Sequence, residues 1–519
     1  MITAKTAPCD DGAIRATAAA GNCAPGAKPW VLVCTILASA IAYIDESVVN
    51  VALPAIERNL ATSVAIIQWL VNAYTLCLAA LVLVGGAAAD RFGRRKMFII
   101  GVSVFAAASL ACGLSPNVAV LISARAVQGV GAALLIPCAL ALIGASFDEE
   151  ERGKAIGTWA GFSAISAAIG PILGGWIVDG FNWRWIFLIN PLLALPAIWI
   201  ASRRVPESVN PHSGNLDWAG ALLALIGLAS ISFGLIEAPD LGWIDVRVLV
   251  PLACGLIFGG AFLWLEANSD APMLPLHLFQ SRTFSSINLL TFLLYAALAA
   301  AFFFLPFALI QVNGYSALLA GAAFLPFTVI MGVLSRWSGG LLDRFGARLP
   351  LVLGPALAAV GFILLSFAVR DGAYWAFLVA LAVLGLGMAS AVAPLTTTVI
   401  NAVPQDQTGI ASGINNAIAS LANLLAVAIL GAVALGIYDR SLDQELARTS
   451  GSAELRQAVE AARGQFAPAI ANGSGDAART IVRTSLASSI EIMMLFAAAL
   501  AGCSAVSGML LPRQTPQQR

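Results

Sequence analysis

The sequence predicts an all-α polytopic membrane protein with two six-helix bundles and an inserted two-helix hairpin, fourteen transmembrane helices in all. Of its 519 residues, 59% are hydrophobic and 11% are charged, whereas roughly a quarter of the residues in soluble domains are charged. Apolar segments of about 20 residues, the length that crosses a bilayer, recur along the chain. One charged cassette occurs twice, which indicates two parallel halves.

The fourteen apolar segments are mostly bounded by charge, proline or glycine. Segments one to six and nine to fourteen form the predicted bundles, and segments seven and eight form the hairpin between them. The predicted spans are 30–52, 66–88, 97–115, 119–146, 154–178, 184–201, 217–237, 247–265, 286–310, 319–341, 349–369, 373–400, 408–437 and 485–511.

Polar stretches divide the chain into domains. Residues 438–484 form the one long hydrophilic loop, which has room for a short amphipathic helix but which we expect to be mobile on the outer side of the membrane. The predicted domains are a cytoplasmic tail at 1–29, an N-terminal bundle at 30–204, a linker with the inserted hairpin at 205–285, a C-terminal bundle at 286–511 and a second tail at 512–519.

The basic residues fall mainly on one side of the predicted membrane. With a cytoplasmic N-terminus, the inner loops and tails hold sixteen of the 28 Lys and Arg residues, the short outer loops four, the long loop six and the membrane two. Short loops rich in Lys and Arg stay in the cytoplasm. Both termini are therefore predicted to be cytoplasmic, in a bacterial inner membrane, and no nucleic-acid partner is expected.

The repeated cassette has the form Gly-x-x-x-Asp-Arg-Phe-Gly and begins at Gly86 and again at Gly339, 253 positions later. Each copy joins two apolar segments, so it predicts a tight turn that its cationic residues hold at the cytoplasmic face. Gly93 and Gly346 permit such a turn. The other cassette residues with a predicted conformational role are Asp90, Arg91, Arg94, Asp343 and Arg344.

Several classes of chemistry have no support in the sequence. The eight cysteines do not have metal-site spacing, and His212 and His277 lie in predicted cytoplasmic loops. No Gly-x-x-x-x-Gly-Lys-Ser/Thr loop for ATP is present. We therefore predict neither a metal nor a cofactor, and not an enzyme.

Two acidic residues lie clearly within a predicted spanning helix, and intramembrane charges are costly and usually functional. Asp45 lies roughly 13 Å below the outer end of its segment, and Arg125 lies at a similar depth in segment four. The two can pair if their helices are neighbours. Such a pair can tune the proton affinity of the carboxylate, or it can be a static ion pair that helps the helices pack.

Glu46 is the second of these acids and points about 100° away from Asp45 on a helix. Tyr43, Glu46 and Asn50 share one polar stripe, so the periodicity favours Glu46 as the cavity-facing acid. Spacing leaves open which of the two carboxylates titrates. Further candidates for an apolar cavity are Trp69, Tyr74, Gln128, Tyr295, Phe302, Phe303 and Phe304.

Segment five carries an unusual run of small residues with one proline. Small residues permit close contact between membrane helices, and proline can bend a helix. We therefore expect a hinge or a helix interface here. The residues concerned are Gly157, Gly161, Gly170, Pro171, Gly174 and Gly175.

Five motifs accompany the cassette: Asp45-Glu46-Ser47-Val48-Val49-Asn50-Val51-Ala52-Leu53-Pro54; Gln68-Trp69 with Ala73-Tyr74; Leu121-x-x-x-Arg125-x-x-Gln128-Gly129; the Gly157 to Gly175 run; and Trp183-Arg184-Trp185-Ile186-Phe187-Leu188-Ile189-Asn190-Pro191. With them the chain resembles the major facilitator superfamily, specifically the fourteen-helix drug:proton antiporters of the EmrB/QacA type. The resemblance covers nearly the whole chain and implies the major facilitator fold.

By this resemblance Asp45 is the coupling acid and Arg125 its proton-transfer partner, while Asp90 with Arg94 forms a cytoplasmic latch that favours the outward-facing state. Three departures stand out. Glu46 adds an acid at a variable position, Ser166 replaces an expected glycine, and the Asn190-Pro191 pair lacks the usual intervening residue.

The resemblance implies a proton-coupled multidrug efflux antiporter that confers antibiotic resistance by alternating access. Its partners are small-molecule drugs or amphiphiles, protons and the lipid bilayer, with a periplasmic adaptor and an outer-membrane channel as further candidates. Segment ten lacks a carboxylate, which favours monocations and neutral compounds over dications. The alternatives are a narrow exporter of a metabolite, siderophore or amino acid, and a non-transporting receptor on the same scaffold.

Overall fold

The computed structural model describes residues 26–209, 216–269, 272–334, 346–404, 407–449, 453–466 and 475–511. Within these ranges fourteen helices are long and apolar enough to cross a membrane, which confirms the predicted number. They are α1 (Lys28–Leu60), α2 (Val64–Phe92), α3 (Arg94–Gly113), α4 (Val118–Ser146), α5 (Glu149–Gly180), α6 (Trp185–Arg204), α7 (Trp218–Leu241), α8 (Val246–Asn268), α9 (Arg282–Val312), α10 (Ala317–Leu334), α11 (Arg348–Asp371), α12 (Tyr374–Asn401), α13 (Thr408–Arg448) and α14 (Gly475–Met509).

Short polar side chains at the first residue before a helix accept hydrogen bonds from its otherwise unpaired amides. Such caps help to fix where these helices begin. The residues that cap α4, α7, α8, α9 and α10 in this way are Asn117, Asp217, Asp245, Ser281 and Ser316.

The helices form two bundles. In the N-terminal bundle α4 packs on α2 and α3, and α1 packs on α5 and α6. In the C-terminal bundle α11 packs on α12 and α14, while α9 packs on α13 and α14. The inserted hairpin lies against both bundles, because α8 packs on α7 and α7 packs on α2 and on α13.

We call the end of the molecule that carries Asp90 the inner end and the opposite end the outer end. The bundles meet at the outer end, where the Gln68 amide donates to the Val427 carbonyl oxygen at 2.7 Å and the Asp179 carboxylate accepts from the Leu318 amide at 2.7 Å. Near the inner end, a side chain added to Gly161 of α5 would meet open space. The two bundles are therefore joined at the outer end.

Residues 438–484, which we call the outer segment, were predicted to be a mobile loop, but much of the described part is helical or buried. Helix α13 continues to Arg448 because Tyr438 and Leu442, one turn apart, are both fully buried. A short helix follows at Ala453–Glu460, and residues 461–466 return to the protein core. Hydrophilic composition concealed this packed segment.

The cassette turns are described in part. Gly93 and Gly346 have φ of +106° and +72°, a backbone conformation that glycine adopts without strain, as a tight turn requires. Asp343 and Arg344 of the second cassette lie outside the described residues.

Candidate functional site

Asp45 lies at the centre of a buried hydrogen-bond network between α1, α4 and α6. The Arg125 guanidinium donates to Asp45 Oδ2 at 2.6 Å, and the side-chain amides of Gln128 and Asn190 donate to Oδ1 at 2.9 and 2.7 Å. The side chains of Asp45 and Arg125 are 0% and 2% exposed. The pairing expected from their equal depth is therefore present, and both carboxylate oxygens have donors.

Arg125 is held from several sides. Its guanidinium also donates to the Gln128 side-chain oxygen at 2.9 Å and to the Leu70 carbonyl oxygen at 3.3 Å, and it lies 4.4 Å from the centre of the Tyr74 ring. A cation over an aromatic face is attracted to the ring. These contacts fix the guanidinium, so its position can change only if α2 or α4 moves.

Asn190 and Ser109 belong to this network, although neither was predicted to take part in it. The Asn190 amide donates to Asp45 and to the Ser109 hydroxyl at 2.9 Å, and Ser109 donates to the Phe187 carbonyl oxygen at 2.9 Å. Both side chains are 0% exposed. The signal that could have identified Asn190 is an amide next to Pro191 in the motif of segment six.

Glu46 has a different environment from its neighbour. Its side chain is exposed and lines a cavity of about 300 Å³ between the two bundles, together with Tyr43 and Asn50. The polar stripe expected from helical periodicity therefore faces the cavity. Asp45 lies behind it, one residue away in the chain but sealed from the cavity by protein.

Aromatic side chains from both bundles form part of the cavity wall. Helices α1, α2, α4 and α5 contribute residues from one bundle, and α9, α10 and α13 contribute residues from the other. Aromatic rings present large apolar faces that also attract cations. The aromatic lining residues are Tyr43, Tyr74, Tyr295, Phe302, Phe303, Phe324 and Phe327.

Three predicted cavity residues lie elsewhere. Trp69 packs against Phe233 of the inserted hairpin, with ring centres 6.3 Å apart, because α7 covers that face of α2. Gln128 is 0% exposed because its amide is committed to Asp45. Phe304 likewise does not line the cavity and instead packs on Phe466.

The small residues of α5 fall into two groups. At the outer end, Gly170 and Gly174 pack on α1, while Gly175 approaches the C-terminal bundle so closely that a Cβ atom there would lie 2.2 Å from the Ala317 carbonyl oxygen. Pro171 makes a similar contact with Gly321 of α10. At the inner end, Cβ atoms added to Gly157 and Gly161 would meet nothing within 4 Å.

In the first cassette, Asp90 and Arg94 pair with each other. The Arg94 guanidinium donates to Asp90 Oδ1 at 2.7 and 2.9 Å. The Glu207 carboxylate, which sequence reasoning missed, accepts from the Arg95 and Lys96 amides at 2.9 and 3.1 Å and so caps α3.

The remaining cassette residues lie around this ion pair. Arg91 lies with its guanidinium 5.7 Å from the Phe92 ring centre, and Gly86 of α2 packs on Pro137 of α4. No cluster of three or more His, Cys, Asp or Glu side chains that could bind a metal occurs in the described ranges.

The chain matches the family described as Major Facilitator Superfamily over residues 35–427. It is 34% identical over 422 residues to the multidrug resistance protein Stp of Mycobacterium tuberculosis, an alignment that covers 80% of this chain and 78% of that protein. It is 32% identical over 416 residues to the tetracenomycin C resistance and export protein of Streptomyces glaucescens, which covers 78% of this chain and 76% of that protein.

Among solved structures, a bacterial homologue of the human lysosomal transporter Spinster in an inward-facing, unoccupied conformation superposes with a TM-score of 0.65 and 18% identity. The match covers 94% of this chain and 98% of the Spinster homologue. At this level of identity the likeness concerns the fold, and it confirms the predicted arrangement of helices.

Proposed function

This chain belongs to the Major Facilitator Superfamily, and from that premise we propose that it is a proton-coupled multidrug exporter that works by alternating access. The family is one of membrane transporters, and the relatives named above are a multidrug resistance protein and an antibiotic export protein. The chain is a multi-pass membrane protein. We place it in the bacterial inner membrane with both termini in the cytoplasm, because the predicted inner loops and tails together hold sixteen of the 28 Lys and Arg residues.

The observation that carries the proposal is Glu46 in an aromatic cavity shared by both bundles. Alternating access requires a substrate site between two bundles that rock against each other, and this cavity has that position. Its aromatic walls suit lipophilic compounds, and the carboxylate suits those with a positive charge. We therefore expect lipophilic monocations and neutral amphiphiles as substrates.

We assign proton exchange to Glu46 and a supporting role to Asp45. Asp45 is sealed from the cavity and receives three hydrogen bonds, one of them from a buried guanidinium. Glu46 faces the cavity, where water or a cationic drug can reach it. Both acids lie on α1, so a movement of this helix would displace both. The hydrogen bonds of Asp45 can therefore transmit a change in the protonation of Glu46 to α4 and α6.

The test is substrate-induced proton release in proteoliposomes, measured with lipophilic cationic dyes and with a neutral dye. Glu46→Gln is expected to abolish coupled proton release, because the cavity loses its titrating group, while a neutral dye still binds. Asp45→Asn is expected to lower both transport and stability, because a buried Arg125 without its partner costs about 3–5 kcal/mol.

The matched control is Glu454→Gln, which neutralises an exposed acid on the outer segment and should leave proton release unchanged. Normal coupling in Glu46→Gln, together with its loss in a well-folded Asp45→Asn variant, would move proton exchange to Asp45. Normal coupling in both variants would contradict the carboxylate mechanism.

A second candidate function is export of one antibiotic or metabolite. It is favoured by the Streptomyces glaucescens relative, whose name mentions a single compound. A panel of dyes and antibiotics separates the two functions, because a narrow exporter would release protons with one chemical class alone. A periplasmic adaptor and an outer-membrane channel stay predictions that co-purification from native membranes would test.

A further inference from the structure

The segment at 461–466, which we call the outer strap, crosses the outer end of the molecule and contacts both bundles. It follows the short helix Ala453–Glu460 and belongs by sequence to the C-terminal bundle. Ala462 and Phe466 are 1% and 0% exposed. A surface loop of polar composition would leave such side chains in water, so the strap is an ordered part of the outer closure.

The strap is anchored to the C-terminal bundle by an aromatic cluster. The Phe466 ring lies 5.6 Å from that of Phe307 and 5.8 Å from that of Tyr438, both in edge-to-face contact. Arg463 forms ion pairs with Asp443 of α13 and with Glu460. A buried phenylalanine contributes a few kcal/mol of apolar burial, so this anchor is the stronger of the two attachments.

The strap is joined to the N-terminal bundle by hydrogen bonds. The Glu57 carboxylate of α1, 1% exposed, accepts from the Phe466 amide at 2.7 Å, and the Val64 amide at the start of α2 donates to the Gly464 carbonyl oxygen at 2.8 Å. Hydrogen bonds are short-ranged, so this attachment breaks when the groups separate.

A line of aromatic contacts connects the strap to the cavity. Phe303 lines the cavity and lies 5.9 Å from Phe307, which in turn lies 5.6 Å from Phe466. The rings are close-packed, and packed interiors transmit displacement. A bulky substrate that shifts Phe303 would therefore press on the anchor of the strap.

We propose that the outer strap is a gate that moves with the C-terminal bundle and is latched to the N-terminal bundle by Glu57. The outer exit opens when the strap leaves Glu57 and Val64, since the aromatic anchor on the other side is the stronger one. This proposal concerns the barrier to outward opening and does not depend on the nature of the exported compound or on proton coupling.

The test uses the full chain without its native cysteines and with Ala65→Cys as the reporter. Ala65 of α2 is 4% exposed and packs with Ile236 and Ala428 at the outer end, so a membrane-impermeant maleimide added outside labels it when the bundles part. Glu57→Leu and Phe466→Ala are expected to raise the labelling rate at least about tenfold, the change that 1.4 kcal/mol produces.

Two further variants make the result specific. Glu57→Gln keeps an oxygen acceptor but loses the charge, so its labelling rate should fall between those of Glu57→Leu and the parent. Glu454→Gln alters an exposed acid of the same outer segment and should label as the parent does. Melting curves and dye binding establish that each variant is folded.

The proposal is overturned if folded Glu57→Leu and Phe466→Ala label at the parent rate, because the strap would then be a static cover. It is also overturned if Glu454→Gln accelerates labelling equally, because the effect would be a general loosening of the outer segment. Labelling needs no transport, so the result is independent of the proton-release test.

Discussion

The two ends of α5 differ in how they meet the C-terminal bundle. At the outer end Gly175 and Pro171 lie in backbone contact with α10, whereas at the inner end Gly157 and Gly161 face open space. All of them belong to one run of small residues. The difference shows that the outer part of this motif packs on the opposite bundle in this conformation, whereas Gly157 and Gly161 have room for an added side chain.

Substitution of the outer glycines should have the largest effect. A Cβ atom at Gly175 or Gly321 would lie 2.2 or 2.0 Å from a carbonyl oxygen of the other bundle, and overpacking of this kind costs about 1–3 kcal/mol. Gly175→Ala should therefore open the outer end and raise external labelling of the Ala65→Cys reporter about tenfold or more. Transport should fall with it.

The matched variant is Gly161→Ala at the inner end of the same helix. Because an added methyl group meets open space there, labelling of the outer reporter should not rise above that of the parent. Transport should nevertheless fall if the inner ends must meet during the cycle. Equal rises in labelling from both substitutions would remove the distinction between the two ends.

Asp179→Asn should have a smaller effect in the same direction. The Asp179 carboxylate accepts from the amides of Ala317 and Leu318, at 3.1 and 2.7 Å, and so caps α10 across the bundle interface. A negative charge at a helix N-terminus contributes about 0.3–1 kcal/mol, and Asn retains an oxygen acceptor. We expect a rise in outer labelling of about two- to fivefold, and Asp179→Leu should exceed it.

Glu207→Gln should have the smallest effect on the interface. This carboxylate caps α3 inside the N-terminal bundle, where loss of a good cap costs about 1 kcal/mol. A lower melting temperature with unchanged labelling at the outer end is therefore expected. A change in labelling would show instead that the linker after α6 takes part in the motion between bundles.

The sequence predicted those parts of the site that depend on charge and period. The similar depths of Asp45 and Arg125 in their helices were enough to predict that they pair, because an isolated intramembrane charge needs a partner. Helical periodicity was enough to predict that Glu46 faces the cavity, because positions 43, 46 and 50 share one face of the helix. The fourteen spans followed from hydrophobic length alone.

The same reasoning could not predict the positions of neutral polar residues or the contacts between residues far apart in the sequence. Asn190 and Ser109 carry no charge and have no periodic signal. The hydrogen bonds of Asn190 to Asp45 and to Ser109 depend on how α1, α3 and α6 pack. Glu207 lies more than 110 residues from the amides that it caps. The outer strap was missed because one buried ring, Phe466, outweighs the polar composition around it, and Trp69 was misplaced because α7 covers its face of α2.

The inserted hairpin couples movement of the two bundles to the surrounding lipid. Helix α7 packs on α2 and on α13, one from each bundle, while α8 lies outside α7 and presents exposed apolar side chains such as Leu256, Ile257 and Trp264. Any rocking of the bundles must therefore displace the hairpin against acyl chains. Because mismatch between helix length and bilayer thickness has a cost that grows with each ångström, the turnover rate should depend on the chain length of the surrounding lipids.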